Sequence, residues 1–134
     1  MKLSLILILA VVFACNLGER IRIENVVSNA ENIRDGEAEF FRTNHRYASL
    51  KELVDSGLIG RELGDGKDEG YSLDLQPSPG HYTLSIFPDN SAGVVKESDA
   101  EELSIYVDES GVLRGSTDPN KRADATSYEM HPKH

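Results

Sequence analysis

Apolar residues fall along this chain in three successive patterns. Of the first 14 residues, 12 are apolar, the exceptions being Lys2 and Ser4. Over residues 19–43, Ile23, Val26, Val27, Ala30, Ile33, Phe40 and Phe41 recur mainly at i, i+3, i+4 and i+7. That spacing predicts one amphipathic helix with a single apolar stripe. Gly36 is a weak point within it, and Glu37 lies near the centre of the stripe. The bland reading of Glu37 is a capped or edge carboxylate rather than a catalyst. From Tyr71 onward the period becomes two. Tyr71, Leu73 and Leu75 alternate with polar residues, as do Tyr82, Leu84 and Ile86, and again Leu103, Ile105 and Val107. Such alternation predicts strands with one buried and one wet face, which suits an antiparallel sheet.

The joints between these patterns are also legible. Asn44-His45-Arg46 breaks the helical period, and Ser49 then opens an S-x-x-E capping box with Glu52. Leu50, Leu53 and Val54 give the short helix that follows its buried edge, and Gly57 is placed to end it. Pro77-Ser78-Pro79-Gly80 and Asp108-Glu109-Ser110-Gly111 read as hairpin turns, with Val112 and Leu113 as a short edge strand beyond. Residues 88–101 form a long polar excursion. The segment 117–134 has no periodicity and is expected to be a loosely ordered C-terminal tail.

One helix stripe and one single-faced sheet predict a two-layer α+β domain, a long N-terminal amphipathic helix packed on three to four antiparallel strands. In particular, Val26, Ala30, Ile33 and Phe41 should lie across Leu73, Leu84 and Ile105. The chain divides as an export signal over 1–14, the α+β domain over 15–116, and the tail over 117–134.

The apolar start decides where the domain works. Leu3 to Cys15 is 13 residues, short of the ~20 that a bilayer-spanning helix needs and within the range of a signal-peptide apolar region. Val12-Phe13-Ala14-Cys15 resembles a bacterial lipobox, in which the Cys is lipidated and becomes the new N-terminus. Plain secretion with cleavage near Ala14 and an uncleaved short anchor are the alternatives. The placement of the only cysteine in the chain favours lipid attachment at Cys15.

Net charge is −9, so the surface repels phosphate backbones and no nucleic-acid partner is expected. A single cysteine forms no intrachain disulfide, and no Cys/His zinc spacing exists. Asp65-Gly66-Lys67-Asp68-Glu69-Gly70 is the best cation candidate, through Asp65, Asp68 and Glu69. It lacks alternating carboxylate spacing and carries Lys67 at its middle, so it reads as a solvated acidic loop with no metal expected. His45, His81, His131 and His134 have no ligand-like acidic partner at i+3 or i+4. Nucleophile motifs, a phosphate loop and H-E-x-x-H are all absent, which predicts a non-enzyme with no cofactor and no evident small-molecule substrate.

The stretch "AEFFRTNHRYASLKELVDSGLI" is similar to the end of the first helix in type IV pilins and type II secretion pseudopilins. The matching positions are Phe40-Phe41, Asn44, Tyr47, and Ser49-Leu50 with Leu53. Downstream, "GYSLDLQPSPGHYTLSIFP" and "SIYVDESGVLRG" resemble the family's sheet. The likeness runs over roughly residues 21–115. The start departs from the family: there is no Gly-Phe junction and no Glu inside the apolar run. The resemblance therefore implies a pilin-like module on a lipoprotein-like leader, facing the periplasm or cell surface. Its implied partners are envelope or secretion-machinery proteins, with the membrane held through an N-terminal lipid. A true minor pilin or pseudopilin is the alternative, and a small secreted hydrolase is a third class, disfavoured by the missing catalytic set.

Overall fold

The computed structural model describes residues 24–68, 70–89, 103–118 and 120–130. The expected export signal over 1–14, the expected lipid site Cys15 and residues 90–102 lie outside the described residues. Helix α1 covers residues 24–44 and buries Val26, Ala30, Ile33, Glu37 and Phe40. Their steps of four, three, four and three keep one face toward the core. This places Phe40, not Phe41, in the stripe. Phe41 is half-buried and stacks on Tyr47 instead, with ring centroids 4.6 Å apart.

Ser49 caps helix α2 (Leu50–Asp55) through a complete capping box. Its Oγ accepts from the Glu52 N–H at 3.2 Å, and Glu52 Oε1 accepts from the Ser49 N–H at 3.3 Å. A Cβ at Gly36 would stand 3.4 Å from Ile59 Cγ2 and 3.6 Å from Leu53 Cδ2, ordinary contact distances, so the segment around α2 lies close against α1 here without requiring glycine. A short 3-10 turn, Arg61–Leu63, leads on to the sheet.

The sheet has six strands in sequential antiparallel order: β1 (Lys67–Asp68), β2 (Tyr71–Ser78), β3 (His81–Pro88), β4 (Ser104–Asp108), β5 (Arg114–Ser116) and β6 (Tyr128–Glu129). Gly80, at φ 75°, takes the left-handed conformation that closes the tight β2–β3 hairpin. Register aligns Leu73 with Ile86 and Ile86 with Ile105, and Leu75 with Leu84 and Leu84 with Val107. These rows therefore share a face, and it is buried in one cluster with Val26, Ala30, Ile33 and Phe40. The domain is α+β.

Six strands replace the expected three to four. The additions, β1 and β6, are two-residue edge ladders too short to show alternation. The expected Val112–Leu113 strand begins two residues later, at Arg114, while Leu113 turns into the core. Within the expected loosely ordered tail over 117–134, residues 120–130 take a defined course. They return beside β5 and supply β6, with Met130 packed against the core. Ala123 N–H donates to the buried Ser104 Oγ at 2.8 Å, and Met130 N–H to Leu113 O at 2.7 Å. The Arg122 guanidinium lies 3.6 Å from the Phe87 ring centroid. Side-chain and backbone pairing hold this segment where apolar periodicity does not.

Candidate functional site

Chemistry-bearing groups converge where α1 ends and the chain turns toward α2. His45 N–H still donates to Phe41 O at 2.8 Å, but His45 itself adopts φ 57°, a left-handed conformation uncommon outside glycine. Asn44 Nδ2 donates back to Phe40 O at 3.1 Å, satisfying a carbonyl in the last turn. The reversal returns Tyr47 and Ala48 to the flank of α1, where Ala48 N–H donates to Glu37 Oε2 at 2.9 Å.

Glu37 is fully buried, and its second oxygen, Oε1, has no hydrogen-bond partner among the described residues. Burial pushes its carboxyl up to about 7, the Ala48 N–H pulls it back, and the negative Glu52 raises it further. Tyr47 and Tyr82 meet edge to face at 4.8 Å between centroids. Burial raises both phenols above their usual range, and proximity to Glu37 adds to the effect. On the solvent side Arg46 pairs with Glu52 at 2.6 Å and lies over the Phe40 ring at 5.0 Å. That pairing, with the Ser49 N–H, holds the Glu52 carboxyl down at about 2. Two acids on adjoining elements are thus driven in opposite directions by their surroundings. The arrangement provides a proton-binding group inside the core.

The acidic loop is taken apart by the fold. Asp65 is exposed, while Asp68 Oδ2 turns toward α1 and accepts from Asn29 Nδ2 at 2.5 Å. Lys67 Nζ stands 3.9 Å from Asp89 Oδ2. Glu69 and the Cys15 site lie outside the described residues, as do His131 and His134. Among the described residues no three His, Cys, Asp or Glu side chains gather as metal ligands. Chelation with EDTA, or excess calcium, should therefore leave the melting temperature unchanged. A rise of several degrees in calcium, lost in Asp68→Ala, would establish a site there.

His45 and His81 are not brought together: His45 is exposed in the turn, and His81 Nδ1 meets Glu109 Oε2 at 2.5 Å at the mouth of β3. A groove of about 590 Å³ beside β5 and β6 is lined by residues including Leu103, Ser116, Asp118, Tyr128 and Met130.

The position of Glu37 was visible in the sequence, four residues after Ile33 and three before Phe40. The spacing alone did not supply its partner, because the Ala48 N–H reaches it only through the turn at His45. No helix among the described residues is long and apolar enough to cross a membrane. No family model, curated protein or solved structure matches this chain.

Proposed function

We propose that the protein is a non-catalytic, membrane-anchored, pilin-like lipoprotein that serves as a binding or assembly component of the bacterial envelope. The observation that carries this reading is the order of elements. A long helix is followed by a short helix capped at Ser49 and then by an antiparallel meander, the order that the resemblance to pilins and pseudopilins implies. An acidic chain on a lipid anchor suits protein partners in the envelope better than anionic headgroups or nucleic acid.

Cys15 is the testable point. Expressed as the full chain in a bacterial host and extracted with detergent, the protein should begin at Cys15. It should carry a diacylglyceryl mass that the Cys15→Ser variant lacks. Masses differing only by sulfur for oxygen would overturn the lipoprotein reading. An N-methylated, unlipidated terminus would identify a minor pilin or pseudopilin instead.

A further inference from the structure

Glu37 falls in the α1 stripe between Ile33 and Phe40, and the buried cluster on that side includes Ala30, Ile33 and Phe40 of α1, Leu53 of α2 and Tyr82 of β3. Only half of its carboxyl is satisfied, Oε2 by the Ala48 N–H and Oε1 by nothing among the described residues. We propose that Glu37 is a proton-controlled latch: neutral, it holds the 45–55 segment against the end of α1, and its ionisation loosens that segment.

The geometry makes the two protonation states unequal. A neutral carboxyl can accept from Ala48 through its carbonyl oxygen and leaves only one weak polar group unpaired. An ionised one places half a charge on a buried, unpartnered oxygen, which costs far more. The Ala48 N–H offsets part of that cost, and among the described residues no nearby cation offsets the rest. From α2 the facing group is Glu52, also negative; from the turn it is Tyr47, and from β3 it is Tyr82. Arg46 is committed to Glu52, and Arg34 to Asp35 and to the Gly111 carbonyl. Beyond the two tyrosines lie Asp108 and Glu109, which add negative charge. The relief open to an ionised Glu37 is water, and water enters by releasing Ala48 and the segment behind it. Opening would uncover Ala48 and Leu53, both fully buried when closed.

The sign follows from where the proton is held. The closed form keeps its proton up to about 7, whereas an open form releases it near 4.5. Below 4.5 the latch is at full strength, it weakens as pH rises through the interval, and above about 7 the loss is complete.

Hydrogen exchange on the full chain in mild detergent tests this, with protection corrected for intrinsic base catalysis. Protection of the Ala48 amide should fall about tenfold between pH 6 and pH 8. At pH 8 it should be lower than that of Ile105, because the segment opens without the sheet. The fall should vanish in Glu37→Gln, which keeps an acceptor for Ala48 and cannot ionise. In the unaltered protein the Glu37 side-chain carbon should titrate near neutrality. The proposal is overturned by a Glu37 carboxyl titrating near 4.5, by an undiminished fall in Glu37→Gln, or by Ala48 exchanging no faster than Ile105 at pH 8. The first and third readings need no variant, so they decide the matter even if Glu37→Gln does not fold.

Discussion

Leu84→Ala should destabilise the domain by about 2–5 kcal/mol, and Ile33→Ala by a similar amount. Leu84 is fully buried at the middle of β3, with Leu75 opposite it on β2 and Val107 opposite it on β4. Truncation there opens a cavity under the sheet that the two flanking strands cannot easily close. Ile33 is equally buried and belongs to the same cluster from the helix side. If the two side chains share that packing, the double variant should depart from additivity by ~0.5 kcal/mol or more. Ser85→Ala, which changes the opposite face, should stay within about 0.5 kcal/mol of the parent. Denaturant midpoints at constant slope supply all four values. A neutral Ile33→Ala beside a severe Leu84→Ala would mean that α1 does not cover the sheet. The basis for a pilin-like reading would go with it.

The parts of the fold that periodicity revealed are those in which many residues repeat one choice. Strands β2, β3 and β4 each alternate over several positions because one face is buried along their length. The pairs Leu73–Ile86 and Leu84–Val107 fall where that alternation requires. The capping box at Ser49 was readable because its two bonds join residues only three apart. The helix was readable too, but its phase was not settled at the consecutive aromatics Phe40 and Phe41. Reading Glu37 as a misfit on the stripe leaves that choice open. Taking it as a true stripe member puts 33, 37 and 40 in step and sends Phe41 to the flank. What makes a buried glutamate tolerable, the N–H of Ala48, lies 11 residues away. Charge pattern alone cannot display such a contact. The same limit hid β1 and β6, whose two-residue ladders rest on contacts made elsewhere.

The C-terminal segment gives the sharpest divergence between apolar pattern and structure, and a chain ending at Ser116 should expose it. Loss of the segment would leave the buried Ser104 hydroxyl without its donor Ala123, and Arg114 without the Ser127 carbonyl that it reaches at 2.9 Å. Each such pairing contributes about 1 kcal/mol, and a buried group left unpaired costs about 1–3. Leu113 would lose both the Met130 N–H on its carbonyl and the cover of a side chain packed against the core. Phe87 would lose the Arg122 cation over its ring. With β6 gone, β5 would become an unprotected edge. Together these losses amount to about 3–5 kcal/mol, a large share of the stability of a domain this small. Urea melts of the full and shortened chains, both in the same detergent, should show the midpoint displaced well below that of the full chain. The slope should also fall, because the shortened chain has less surface to expose on unfolding. Ser104→Ala in the full chain separates the segment's docking from its mere presence: it should lower the midpoint, yet add little once residues 117–134 are already missing. Equal midpoints for the full and shortened chains would mean that the segment is as loose as its lack of periodicity implies, and that the sheet ends at β5.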